Sequence, residues 1–219
     1  GEELSVWDLM NYLLIPSGNE AGTVLAEYVA GSIPDFITMM NDKAKELGMT
    51  HTHYADPHGL SELNRITCED MLILCRYAMQ FENFRKIVSS KQGYLPANSI
   101  RPYAIRYSTT NRVMSPKGVS RYDTGFSEDI IGIKTGYTRA AGYCLISTCE
   151  RNNIRALVIV MGCNGYYNAS IEEFRNFSDS ITLYNWVFNN FSYREILSVS
   201  APIETVQVRL AQGDGELVL

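Results

Sequence analysis

Ile130-Ile-Gly-Ile-Lys-Thr135, Tyr143-Cys-Leu-Ile-Ser-Thr148 and Ile154-Arg-Ala-Leu-Val-Ile-Val-Met161 follow one another closely, and their reading decides the fold. Each run is short and apolar, the pattern of a strand rather than a helix. Glu150-Arg-Asn-Asn153 carries turn formers, so the last two strands pair as an antiparallel hairpin. Downstream, residues 171–191 return to helical spacing through Phe174, Phe177, Ile181, Tyr184 and Val187-Phe188.

Upstream the chain reads as helical. Ser5-Val-Trp-Asp8 resembles a capping box, with Asp for the usual Glu. Val6, Leu9, Met10, Leu13 and Leu14 follow until Pro16, which disfavours a helical Ile15. A second helix runs from Glu20 to a stop at Gly31. Pro34 and Gly48 frame a third, and Thr67 with Asp70 opens a fourth. A short fifth is expected around Phe84–Val88. Residues 50–66 read as irregular and 100–108 as strand-like. The expected fold class is therefore α/β (α+β), a mostly antiparallel sheet with helices on both faces. Helices of residues 5–90 form one lobe, strands of 130–163 the other. Pro202 marks a boundary after residues 1–200. Beyond it Val206, Val208 and Leu210 alternate, Gly213-Asp-Gly215 turns, and Leu217 and Leu219 follow. A lone hairpin is marginal in water, so residues 201–219 are expected to begin a further β domain.

The 219 residues are 46% hydrophobic and 20% charged, which excludes a disordered or collagen-like chain. A net charge of −5 and the lack of a basic run argue against nucleic acid as a partner. Apolar runs such as Ala156–Cys163 are strand-sized, so no membrane span is expected. Gly1-Glu-Glu3 opens directly into a helical pattern, and no signal peptide is read there. Five cysteines without a Cys-x-x-Cys pair read as buried free thiols. They suit a reducing setting, or an exported protein that meets little oxygen.

Two polar motifs remain. Ser17-Gly18-Asn19 lies between two helices, and Lys134-Thr135-Gly136 ends a strand 117 positions later. Alone, the first is an ordinary turn and the second a strand-end charge. Together, in this order, they place a hydroxyl, an amide and an ammonium where two lobes meet. His51, His53 and His58 with Asp56 invite a metal reading, but no fixed helical pair such as His-Glu-x-x-His supports it. No metal and no other cofactor is expected. A phosphate loop near Gly125–Thr135 fails, because Ile133 stands where glycine must precede lysine.

Wider words carry a resemblance. With Leu13-Leu-Ile-Pro-Ser-Gly-Asn-Glu-Ala21, Asp56-Pro-His-Gly-Leu60, Gly132-Ile-Lys-Thr-Gly-Tyr-Thr-Arg-Ala-Ala-Gly142 and Val158-Ile-Val-Met-Gly162, the chain resembles the D-alanyl-D-alanine carboxypeptidases. These are low-molecular-mass penicillin-binding proteins of the serine β-lactamase and transpeptidase-like superfamily. The likeness implies a serine-type carboxypeptidase of the cell envelope, outside the cytoplasm. Its substrate would be a peptidoglycan stem peptide ending in D-Ala-D-Ala, and β-lactams would inhibit the complete enzyme covalently. By resemblance, Ser17 passes a proton to the leaving amine and Asn19 orients substrate. Gly18 permits the tight turn, and Lys134 keeps the cleft positive and orients Ser17. Thr135 binds the terminal carboxylate, Gly136 lets substrate lie along the strand, and the Tyr137 N–H forms half of an oxyanion hole. A carboxylate-binding arginine is expected near the start of the last helix. Arg175 is adjacent to that position, while the register puts Asn176 on it.

The family's third motif, Ser-x-x-Lys, carries the nucleophile. Lysines stand at 43, 45, 86, 91, 117 and 134, and none has serine three positions before it. Residues 1–200 are thus expected to be a partial domain lacking the nucleophile segment, and inactive alone. The alternatives are a non-catalytic fragment or peptide- or penicillin-binding module, and a β-lactamase. Against the last, no loop carrying a deacylating glutamate is identifiable.

Overall fold

The structure, a computed structural model, describes residues 1–114, 128–168, 171–194, 196, 205–207 and 216–218. Five helices come first: α1 (Val6–Leu14), α2 (Asn19–Ala30), α3 (Ile33–Glu46), α4 (Cys68–Ala78) and α5 (Glu82–Val88). Local chemistry sets their ends. Ser5, Ser32 and Thr67 each accept the backbone N–H three residues on, capping α1, α3 and α4. Gly31 follows α2 with φ +80°, a conformation that would cost a side chain.

Three strands form the central sheet in the order β3 (Ile130–Thr138), β4 (Gly142–Arg151), β5 (Ile154–Cys163). Both pairs are antiparallel, and the hairpin expected of the last two strands is β4–β5. Asn152 and Asn153 have φ +53° and +61°, the paired left-handed residues of a tight turn that follows strand twist. A bulge interrupts β3 between Ile131 and Ile133. Gly132 occupies it at φ +46°, where a Cβ would lie 2.5 Å from the Val88 carbonyl oxygen.

Helices cover both faces. On one, Ile130, Leu145, Cys149 and Val158 pack with Phe177, Ile181 and Tyr184 of α6 (Arg175–Asn190). There the buried Tyr184 hydroxyl donates to Ser147 Oγ at 2.8 Å. On the other, Ile133, Ile146 and Leu157 meet Cys75 and Met71 of α4 and Phe84 and Val88 of α5.

Several expectations need correction. A strand β1 (Gln92–Leu95) pairs with β2 (Ile105–Ser108), so the strand-like reading of 100–108 holds only for its second half. The last helix starts at Arg175, because β7 (Ile171–Phe174) pairs back onto β6 (Gly165–Asn168). The cysteines are free, but only Cys75 and Cys149 are buried; Cys68 is exposed on the first turn of α4. In the tail, β8 (Thr205–Gln207) and β9 (Glu216–Val218) pair antiparallel. The Pro202 boundary and the Gly213-Asp-Gly215 turn lie outside the described residues. Among those residues, no helix is long and apolar enough to cross a membrane.

Candidate active site

The turn between α1 and α2 presents Ser17. The Gly18 N–H donates to the Tyr12 carbonyl at 2.9 Å, and a Cβ on Gly18 would lie 2.3 Å from the Tyr12 ring. Glycine is therefore demanded by the packed ring. The left-handed conformation falls on Ser17 instead, at φ +71°. A serine held there is strained, as residues at functional turns often are. Asn19 begins α2, partly buried.

β3 brings the second motif. Lys134 Nζ donates to Ser17 Oγ at 2.8 Å and to the Thr135 carbonyl at 3.0 Å. Among the described residues no carboxylate pairs with it. Burial pushes Lys134 down to about 8 from its ordinary 10.5, because an ammonium loses hydration there. The Thr135 hydroxyl hydrogen-bonds the hydroxyl of Thr110. A Cβ on Gly136 would come no nearer than 3.8 Å, to Cys144 Cβ, so the chain itself does not require glycine at this position.

A cavity of about 270 Å3 opens beside the pair, with Ser17, Thr110, Thr135 and Gly136 on one side. The far side is aromatic. Tyr137 stacks on Tyr143 at 4.3 Å, and Tyr143 meets Phe174 at 4.8 Å. Gly165 makes room for this wall, since a Cβ there would lie 2.2 Å from the Tyr143 ring. The guanidinium of Arg112 lies over Phe174 at 4.7 Å and also lines the cavity.

Six of the eight candidate residues thus converge: Ser17, Thr135, Gly136 and Tyr137 line the cavity, Lys134 bonds Ser17 beside it, and Gly18 holds the turn. Asn19 is the next residue in that turn. Arg175 is a correction. It is exposed in the first turn of α6 and is not among the residues that line the cavity; its backbone N–H donates to the Asn164 carbonyl at 3.2 Å. The register was the better guide, because Asn176 lines the cavity. Its Nδ2 donates to the Cys144 carbonyl at 3.2 Å, leaving a buried Oδ1 without a donor among the described residues. The cation on this wall is Arg112, on the 3-10 turn Arg112–Met114, which the sequence reading missed together with Thr110 and the aromatic wall. The run Ser108-Thr-Thr-Asn-Arg112 was the available signal: five polar residues between Tyr107 and Val113. His58 Nδ1 lies 3.6 Å from Asp56 Oδ1, and no group of three metal-ligating residues occurs among the described residues.

This frame and cleft define a penicillin-binding fold. Residues 1–165 match the D-alanyl-D-alanine carboxypeptidase family, peptidase S11, and the chain belongs to it. It is 33% identical to the carboxypeptidase DacF of Bacillus subtilis, over 75% of this chain and 39% of that protein. With DacC of Escherichia coli it shares 32%, over 87% of this chain and 42% of that one. The structure of penicillin-binding protein 6B from Escherichia coli superposes with a TM-score of 0.68 at 27% identity, over all of this chain and 58% of that one. Penicillin-binding protein D2 of Listeria monocytogenes, solved with ampicillin bound, gives 0.65 at 26%, over 84% and 68%. The chain therefore spans about two fifths of the two curated relatives.

Proposed function

We propose that this chain carries two of the three catalytic walls of a serine-type D-Ala-D-Ala carboxypeptidase. The observation that supports this most is the Lys134–Ser17 contact, which joins the two motifs across 117 positions. The nucleophile comes from a Ser-x-x-Lys segment outside these residues. It attacks the penultimate D-Ala carbonyl of a stem peptide, D-Ala leaves, and water releases the acyl-enzyme. Ser17 hands the proton to the departing amine, a role for a group that both donates and accepts. Lys134 orients it and keeps the site positive, and Asn19 aligns the peptide. Substrate lies along the free edge of β3, in the space Gly136 leaves open. The Tyr137 N–H supplies one oxyanion donor. The terminal carboxylate rests on the Thr135 and Thr110 hydroxyls, with Arg112 as the cation on that side. The setting is the peptidoglycan outside the cytoplasm, and β-lactams acylate the serine of that Ser-x-x-Lys segment.

The test is labelling with a fluorescent penicillin, read by intact mass. A chain extended through Ser-x-x-Lys takes one penicilloyl group, and the present chain takes none. Labelling of the present chain at Ser17 would overturn the proton-transfer role. Failure of the extended, folded chain to label would favour a non-catalytic binding module.

A further inference from the structure

Ser17 and Lys134 form a pair that needs no third ionisable group. Among the described residues, Nζ bonds Ser17 Oγ at 2.8 Å and the Thr135 carbonyl at 3.0 Å, and no carboxylate pairs with it. A neutral amine in that place keeps one hydrogen on the Thr135 carbonyl and turns its lone pair to the Ser17 hydroxyl. That is the geometry of a general base beside a nucleophile, and serine–lysine pairs are known to work so on unrelated folds. Ser17 also stands on a sharp turn at φ +71°, held from the next residue, where the Gly18 N–H donates to the Tyr12 carbonyl and Gly18 packs on the Tyr12 ring. Strained turns of this kind present nucleophilic serines elsewhere. The side chain opens on a cavity of about 270 Å3, across from the Tyr137–Tyr143 stack.

We infer that the Ser17–Lys134 pair is itself an acyl-accepting dyad, and that it takes short acyl groups from activated aryl esters without any segment beyond this chain. Ser17 Oγ bonds to the ester carbonyl carbon while its proton passes to Lys134 Nζ. The tetrahedral adduct collapses by breaking the carbon–oxygen bond to the aryl group. An aryl oxide leaves, and Lys134 returns the proton to solvent. Acyl-Ser17 remains until water hydrolyses it. The aromatic wall stacks the aryl group. Burial assists, because Lys134, pushed down to about 8, is available as a base near neutrality. Peptides and β-lactams lie outside this activity. Their amine leaving groups need protonation and a full oxyanion hole, whereas a nitrophenolate departs unaided. The inference does not rest on the carboxypeptidase reading.

The test uses this chain and 4-nitrophenyl acetate. Release of 4-nitrophenolate should show a burst matched by one acetyl group in the intact mass, located on Ser17 by peptide mapping. The burst rate should rise with pH through about 8. Ser17→Ala should remove the Ser17 adduct and with it the burst. Lys134→Arg, which keeps the charge but accepts no proton, should slow the burst about a hundredfold with an unchanged circular dichroism spectrum. Acetyl groups on Lys134 or on surface amines, or an unchanged rate in Lys134→Arg, would overturn the inference. Should Ser17→Ala not fold, the mapped adduct of the unaltered chain and the Lys134→Arg rate decide. A negative result leaves penicillin labelling of the extended chain untouched, so the two readings fail separately.

Discussion

Replacing Lys134 with methionine should make the protein more stable at neutral pH. The lysine's ordinary value is 10.5 and burial brings it to about 8. That gap corresponds to about 3 kcal/mol of unfavourable free energy whenever the side chain is charged in the fold. Below about pH 8 both folded and unfolded chains hold the proton, and the cost is fully present. Between about 8 and 10.5 the unfolded chain binds more protons than the folded one, so stability rises with pH across that window. Methionine has similar volume and no charge. It removes the cost, while Ser17 Oγ loses a donor worth about 1 kcal/mol. The net gain near pH 7 is about 2 kcal/mol. Urea unfolding of both chains at several pH values measures it. The difference should shrink to within about 1 kcal/mol of zero near pH 10. A methionine variant that is less stable at neutral pH, by an amount independent of pH, would refute the claim that Lys134 is held against its hydration.

Gly132→Ala should cost about 3 kcal/mol or more, since φ +46° and the Val88 carbonyl 2.5 Å away act together; thermal unfolding reads it. Tyr184→Phe leaves Ser147 Oγ buried without its donor and should cost about 1–3 kcal/mol in urea unfolding. Adding Ser147→Ala should recover part of the loss. Burial pushes the Asp56 carboxyl up, but N–H donors from Gly59, Ser61 and His58 outweigh it and hold the group below its ordinary value. Asp56 therefore stabilises the fold above the ordinary carboxylate range, and that contribution fades as acid protonates it. The stability difference between the protein and Asp56→Asn should vanish in acid unfolding titrations.

Helices α1 to α4 were legible because their caps are written locally: Ser5, Pro34, Gly31 and Thr67 act within one turn of the backbone. β3, β4 and β5 were legible from apolar runs and from Asn152-Asn153. β1, β6 and β7 were not, since each is only four residues long and is held by a partner strand rather than by a pattern of its own. In the site, the two motifs marked Ser17 and Lys134 but not their distance. Arg112 escaped notice because its place is set by packing on Phe174, 62 positions away. Arg175 drew attention as a charge near the right position, yet it is exposed and the place on the wall belongs to Asn176.

The bulge at Gly132 has a consequence for the reading frame of β3. From Ile130 to Lys134 is four residues, while their partners Cys149 and Ile146 are three apart. Side chains alternate sides, so the extra residue reverses which side every later position faces. Ile130 keeps company with Cys149 under α6, and Lys134 with Ile146 on the opposite side, where Ser17 waits. Were the bulge smoothed out at this length, Ile133 would stand opposite Ile146 and Lys134 would turn to the other side, away from Ser17. The extra residue and the side Lys134 faces are therefore one feature: a strand paired in step would keep the ammonium in the cleft only by giving up a residue before it.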